Sequence, residues 1–138
     1  RAAYAAKAAY FKFQISEGSL DPLPHLKKAE QLLTQALGIA QQVDRDHLVE
    51  YASQLIAIEQ HINMHSMDIE ERRVAAQRIT ETLAMIMLWQ DGEIRIIRSL
   101  QKYGNKEARG RFERLTNIMK ENGIELRLPS GWTPPSPR

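Results

Sequence analysis

Residues 83–89 read LAMIMLW, the longest apolar run in the chain. Apolar residues at helical spacing lead into this run and continue after it: Ile79, Leu83, Ile86, Ile94, Ile97 and Leu100. An exposed helix carries a single apolar stripe, whereas a segment that is apolar on every side packs among neighbours. The stretch from Asp68 to Tyr103 is therefore predicted to form a buried central helix on which the other segments pack.

The composition indicates one ordinary globular domain. The chain has 138 residues, of which 43% are apolar and 26% charged, which suits a single core. No apolar run approaches the ~18 residues of a membrane span. Cysteine is absent, which excludes disulfides, cysteine-based metal sites and thiol nucleophiles and favours a cytoplasmic location. Because residue 1 is Arg, we expect the chain to be processed or to be part of a larger protein.

Local signals divide the rest of the chain into helices. Alanine-rich residues 2–16 favour a first helix, because alanine loses no side-chain entropy. Asp21 and two prolines open a second helix that ends near Val43, and residues 44–46, of which Asp44 and Asp46 are acidic, start a third that ends near Met64. Asp68, with Glu71 at capping-box spacing, starts the central helix, and residues 106–122 form the last. Gly92 lies within the central segment, so the sequence leaves open whether this helix is continuous or broken.

The remaining sequence contains no convincing sheet. Residues 124–128 alternate like a strand but have no second strand to pair with. Four of the last ten residues are proline, which favours an extended or disordered tail. The predicted fold is all-α: a five- or six-helix bundle or helical-hairpin stack. One domain covers residues 1–128, and the Pro-rich tail covers residues 129–138.

One segment resembles a known repeat. The sequence Ala9–Phe13, followed by Leu26–Ala29, resembles the two helices of a single tetratricopeptide repeat. The connection is longer than in the family, Pro22 stands where the family has a small residue, and no second copy follows. The resemblance covers about a quarter of the chain and implies two helices there.

Two histidines are candidate metal ligands. His61 and His65 are four residues apart on a predicted helix, which is the spacing of helical zinc ligands. A third ligand would have to be an acidic residue such as Glu59, Asp68 or Glu70, because His47 lies about 20 Å away along the helix. The alternative is a pair of partly exposed histidines near a helix end.

A basic region is the stronger functional feature. Residues 95–120 carry eight basic side chains against two acidic ones. Clustered basic groups bind phosphates, and Tyr103 and Phe112 are interleaved as stacking groups. The polyanion-binding hypothesis rests on these residues: Arg95, Arg98, Lys102, Lys106, Arg109, Arg111 and Arg114. The alternative is a solvated surface with the two aromatic rings in the core.

Motifs for catalysis are absent. The chain has no Gly-rich phosphate loop and no G-x-S-x-G elbow, so no catalytic residue and no cofactor is assigned. Trp132, in the Pro-rich tail, is either a docking anchor for a partner or a cap folded back on the helices.

The sequence favours a non-catalytic protein–protein interaction, scaffolding or regulatory module within a larger protein or assembly. Its charge is polarised: residues 1–70 carry six basic and nine acidic side chains, and residues 71–138 carry thirteen and eight. We expect a protein partner or a homo-oligomer. A nucleic-acid-binding domain is the first alternative, and a metal-dependent enzyme around His61 and His65 is the second. An exposed apolar groove would favour the interaction module.

Overall fold

A computed structural model describes residues 1–43 and 45–136, and their regular secondary structure is entirely helical. The five α-helices are α1 (Ala2–Glu17), α2 (Leu23–Val43), α3 (Leu48–His65), α4 (Ile69–Gln101) and α5 (Lys106–Glu121). A single 3₁₀ turn, Arg45–His47, precedes α3. The all-α prediction is confirmed. Asp44, predicted to begin the third helix, and residues 137–138 of the predicted tail lie outside the described residues. Within the described ranges, no helix combines the length and the hydropathy that crossing a membrane requires.

The chain divides into two compact units, and the division lies within α4. The first unit is Arg1–Ala84, and the second begins at Met85. The single domain over residues 1–128 stays a prediction. Each unit is described separately below.

Helix α4 is continuous for 33 residues, so Gly92 does not interrupt it. The expectation that residues 83–89 are buried on every side is wrong. Ile86 and Trp89 are buried, but Leu83 is 42% exposed and Leu88 is 69% exposed. These exposures alternate at helical spacing, because only one face of α4 is covered in this stretch.

The start of α4 is capped by Asp68, whose Oδ1 accepts the backbone N–H of Glu70 at 3.0 Å. The predicted capping box does not form. The N–H of Asp68 donates to Ser66 Oγ at 3.1 Å, and the Glu71 carboxylate is instead paired with Lys27 of α2 at 2.6 Å.

In the first unit, α2 packs against both α1 and α3. All six residues of the predicted α2 stripe are buried: Leu26, Ala29, Leu33, Ala36, Leu37 and Ala40. Helix α1 buries Ala2, Ala5, Ala6 and Ala9 and leaves four large residues exposed: Tyr4, Tyr10, Phe11 and Ile15. The small buried residues of α1 and the alanines among the buried residues of α2 allow the two helix backbones to approach closely.

In the second unit, the segment after α5 is held against α4 by two glutamine side chains. Gln90 Nε2 donates to the carbonyl of Arg127 at 2.9 Å, and Gln90 Oε1 accepts the Arg127 N–H at 3.0 Å. Three turns later, Gln101 Oε1 accepts the indole N–H of Trp132 at 2.8 Å, and Gln101 Nε2 donates to the carbonyl of Thr133 at 3.2 Å. The extended or disordered state predicted for residues 129–138 is not confirmed.

Candidate functional site

An apolar groove lies between α1 and α3 in the first unit. The part toward the middle of both helices has a volume of about 190 Å³ and is lined by Ala9, Tyr10, Phe13, Gln54, Ala57 and Ile58. The groove continues toward the start of both helices, where Ala6, Lys7, His47 and Tyr51 line it. From Ala3 to Phe13 it runs about 15 Å along α1.

The groove exists because α1 turns its bulky side chains away from α2. Tyr10 is 55% exposed and Phe11 is 54% exposed, while Ala9 beside them is buried. Large apolar groups are usually buried, and contiguous exposed ones mark interaction surfaces. Helix α1 therefore presents an aromatic surface next to an apolar groove.

The edges of the groove carry more basic than acidic groups. Lys7 and His47 lie at one end, where Glu50 contributes a single carboxylate to the described lining. At the other end, the ring of His61 packs edge-on against Phe13 with centroids 4.9 Å apart. Lys7 and Glu50 offer one charge of each sign to a bound segment at the first end.

The two candidate metal ligands lie together near this end of α3. The rings of His61 and His65 are stacked with centroids 6.4 Å apart. The Nδ1–H of His61 donates to the carbonyl of Ala57 at 2.8 Å. Nε2 is therefore the His61 nitrogen that could bind a metal ion. In residues 1–43 and 45–136, no three His, Asp or Glu side chains lie close enough to share a metal ion. Glu59, Asp68 and Glu70 do not complete a site with the histidines.

An acidic pocket lies on another face of the first unit, between α2, α3 and the start of α4. Its volume is about 400 Å³. Five carboxyl groups line it, against two cationic groups: Glu30, Glu59, Asp68, Glu70 and Glu71, with Lys27 and Arg78. Lys27 and Arg78 each keep about half of their side-chain surface exposed, so the pocket is open to solvent.

Glu59 is the most unusual group of this pocket. Its side chain is 1% exposed, and neither carboxylate oxygen accepts a hydrogen bond. The nearest guanidinium nitrogen, Arg78 Nη1, is 3.7 Å from Glu59 Oε1 and only 2.6 Å from Glu30 Oε1. Arg78 therefore bonds to Glu30 and leaves Glu59 without a hydrogen bond.

The environment of Glu59 keeps its carboxyl group protonated. Burial, together with the neighbouring Glu30, raises the pKa of Glu59 to about 9, and the positive charge of Arg78 only partly opposes this rise. In its neutral form the Glu59 O–H can donate to the Glu30 carboxylate. A proton thus stabilises the pair when no further cation is present.

The other carboxylates of the pocket have partners. The hydrogen bond from Lys27 lowers the pKa of Glu71, and a bond to Ser66 adds to this effect. Glu70 is paired with Arg73 at 2.6 Å, which lowers the pKa of Glu70. The pocket is therefore a set of paired surface charges around one buried carboxyl group that accepts no hydrogen bond.

The residues of the predicted polyanion-binding region lie on the second half of α4, in the following turn and on α5. Arg95, Arg98, Lys102, Lys106 and Arg114 are exposed, and Arg109 is half-buried. Arg111 is half-buried and bonds to Glu93 at 3.0 Å. Of the two interleaved aromatic residues, Tyr103 is 90% exposed, and Phe112 contacts Trp132.

Trp132 is folded onto the helices of the second unit. Its ring packs edge-on against Phe112 with centroids 5.8 Å apart, and its indole N–H is bonded to Gln101. This matches the second alternative for Trp132, a cap folded back on the helices. A docking role for Trp132 stays a prediction.

Sequence reasoning used Glu59 only as a candidate third metal ligand and overlooked its burial. The signal was present, because position 59 continues the apolar stripe of Leu48, Ala52, Leu55 and Ile62 at helical spacing. An acidic residue on a buried stripe requires a partner, a proton or a ligand.

No protein-family model, curated protein sequence or solved structure matches this chain. We therefore infer the function from the residues of the chain itself.

Proposed function

We propose that the protein is a non-catalytic interaction module that binds an amphipathic helix of another protein in the groove between α1 and α3. The observation that carries this proposal is the apolar groove itself, with Tyr10 and Phe11 exposed beside it. A peptide helix that lays its apolar face into such a groove is a recurring mode of recognition.

The dimensions and charge of the groove support this occupant. A length of about 15 Å matches roughly three helical turns, enough for apolar anchors at positions i, i+3 or i+4, and i+7. The aromatic rings of Tyr10 and Phe13 supply the large, rigid contact surface that dominates binding energy in interfaces. Lys7 and Glu50 lie at one end of the groove, where each can pair with an opposite charge on the polar face of the helix.

The test uses designed 14-residue amphipathic helices that share one leucine stripe and differ in the charge of the polar face. Titration by NMR should give shifts at Ala57 and Ile58 with each peptide that binds. Ala57→Arg places a charged side chain in the groove and should weaken binding at least tenfold, because an apolar contact is replaced by a desolvated charge.

Ala76→Arg is the matched control, since it makes the same change at an exposed position of α4 outside the groove. It should leave the affinity unchanged. The proposal is wrong if no peptide binds, or if Ala57→Arg and Ala76→Arg bind equally well. Light scattering measures the molar mass of the free chain. A dimer would show that a second copy of the chain occupies the groove, and a monomer leaves it open to a helix of another protein.

A second candidate function, binding of a nucleic acid or another polyanion, is favoured by one arrangement in the second unit. Arg95, Arg98 and Lys102 are exposed along the second half of α4, and the ring of Tyr103 beside them is 90% exposed. Base stacking on an exposed aromatic ring next to basic side chains is typical of single-strand binding.

This alternative predicts an affinity for a short single strand that falls steeply between 50 and 200 mM salt. Replacing Arg95, Arg98 and Lys102 together by Gln should abolish binding. The control replaces three exposed basic residues of the first unit by Gln: Lys28, Arg45 and Arg72. It removes the same amount of charge and should leave binding intact. Equal losses in both triple variants would show that only net charge matters.

A further inference from the structure

The acidic pocket between α2, α3 and the start of α4 carries an inference that does not depend on the groove. We propose that this pocket binds a guanidinium group, with the Glu59 carboxylate as one of its acceptors. The group belongs to an arginine residue or to a small guanidine, and the experiment below distinguishes these two sources.

The carboxyl groups that line the pocket outnumber its cationic groups. Lys27 neutralises Glu71, and Arg78 neutralises Glu30, with N–O distances of 2.6 Å in both pairs. Glu70 is paired with Arg73 from outside the pocket lining, and Asp68 caps α4. Glu59 is then the carboxyl group whose nearest cation, Arg78 at 3.7 Å, is already bonded to Glu30.

Burial makes this imbalance significant. A buried carboxylate without partners is strongly unfavourable, and the structure leaves both oxygens of Glu59 without a bond at 1% exposure. A hydrophobic residue at position 59 would complete the stripe of α3 without this cost. An ionisable residue on an otherwise apolar, buried helix face is a candidate functional group.

The spacing of the carboxylates selects the kind of cation. A compact metal ion needs ligands that converge within about 2–2.6 Å of one point, and in the described ranges no three suitable side chains converge in this way. A guanidinium is planar, carries five N–H donors and can bond two carboxylates at once. Arg78 shows that the pocket accepts this group, since its Nη1 already approaches both Glu30 and Glu59.

Arg78 also controls access to Glu59. Its side chain is 49% exposed, so its guanidinium can rotate toward solvent without crossing the core. An incoming guanidinium would then bond to Glu59 and share Glu30 with Arg78.

Binding should be coupled to release of the Glu59 proton. The groups that face Glu59 are Glu30 and Lys27 from α2, and Arg78, Glu70 and Glu71 from α4, with Asp68 at the cap. Since this environment keeps Glu59 protonated up to about pH 9, a cation that requires the ionised form displaces the proton. The affinity should rise with pH, by at most about tenfold per pH unit below pH 9.

The first probe is Nα-acetyl-arginine methylamide, titrated into the full chain labelled with ¹³C at glutamate side chains. The Glu59 carboxyl carbon should shift on binding, and the dissociation constant should be at least 30-fold lower at pH 8.5 than at pH 6.5. Glu59→Gln should abolish both the binding and its pH dependence. Glu17→Gln, which makes the same change at an exposed position of α1 outside the pocket, should retain binding.

Absence of a shift at 50 mM probe and pH 8.5 overturns the proposal, as does equal binding by the Glu59→Gln and Glu17→Gln variants. A second pair of probes, a ten-residue peptide with one arginine and the same peptide with citrulline, identifies the source. An arginine peptide at least tenfold tighter than the capped amino acid assigns the site to a protein segment, and equal affinity assigns it to a small guanidine. Binding of the citrulline peptide as tightly as the arginine peptide contradicts recognition of the guanidinium charge.

Discussion

Gln90 in the second unit and Glu59 in the first are both polar side chains on a buried helix face, but their surroundings differ. Gln90 is 0% exposed and Glu59 is 1% exposed. Both amide atoms of Gln90 bond to the backbone of Arg127, at 2.9 and 3.0 Å. Neither oxygen of Glu59 has a hydrogen-bond partner.

The difference separates a structural role from a candidate functional one. A buried polar group whose bonds are all made fixes one arrangement of the chain, here the path of the segment after α5. A buried group whose bonds are not made lowers stability until something binds to it. Gln90 is thus explained by the fold alone, whereas Glu59 requires a proton or a ligand.

The largest effect is expected for Glu59→Gln, which should remove a pH dependence of stability. The pKa of Glu59 is about 9 in the fold, above its value of 4.5 in a model compound, so the folded form retains a proton that the unfolded chain loses. The stabilising contribution of this proton is complete below pH 4.5 and is lost as the pH rises toward 9. Between pH 5 and pH 8 the wild-type free energy of unfolding should fall by about 4 kcal/mol relative to the variant.

Urea denaturation of the wild type and the Glu59→Gln variant at several pH values measures this difference. Contributions from the histidines are the same in both proteins and cancel. Parallel pH profiles of the wild type and the Glu59→Gln variant would contradict the neutral Glu59.

A smaller decrease in the free energy of unfolding is expected for Gln90→Ala. The substitution leaves the N–H and the carbonyl of Arg127 without their partner and opens a cavity in the face of α4, at a cost of about 2 kcal/mol. Hydrogen exchange at the Arg127 amide should accelerate together with the loss of stability. Unchanged protection of this amide would show that Gln90 does not hold the segment.

Gln101→Ala should cost about 1 kcal/mol, because Gln101 is only partly buried and its partners can bond to water. The indole N–H of Trp132 should shift in the NMR spectrum as its bond to Gln101 is lost. Trp89 serves as an internal reference, and an equal shift of both indoles would indicate a general loss of structure instead.

The smallest effect is expected for Lys27→Met at the edge of the acidic pocket. The ion pair between Lys27 and Glu71 is short, but the Lys27 side chain is 53% exposed and solvent weakens the attraction. The free energy of unfolding should change by no more than about 0.5 kcal/mol. A larger loss would mean that the charges around Glu59 act as one network.

Much of the fold followed from helical spacing, because periodicity and capping are local properties of the chain. The α2 stripe from Leu26 to Ala40 and the helix ends near Val43 and Tyr103 were predicted from such signals. The burial of residues 83–89 on all sides was predicted wrongly, because burial depends on how many neighbours a helix has. The exposed aromatic face of α1 was also missed, because alanine rather than the large residues forms its contact with α2.

The same limit applies to the candidate sites. Gln90 and Glu59 both interrupt an apolar stripe, so the sequence identifies each as a polar residue on a buried face. The partner of Gln90 is 37 residues away along the chain, and the missing partner of Glu59 is apparent only when α2 and α4 are placed beside α3. Local patterns do not contain this information.

The most direct test of the account is a pH titration of the Glu59 carboxyl carbon by ¹³C NMR in the folded chain, with Glu59→Gln used to assign the signal. A midpoint near pH 9 is predicted, because Glu59 is buried beside Glu30 without a bonded cation. A midpoint near the ordinary value for glutamate, about 4.5, would show that Glu59 is solvated or paired. The proposed guanidinium pocket and the contrast with Gln90 would then both be wrong.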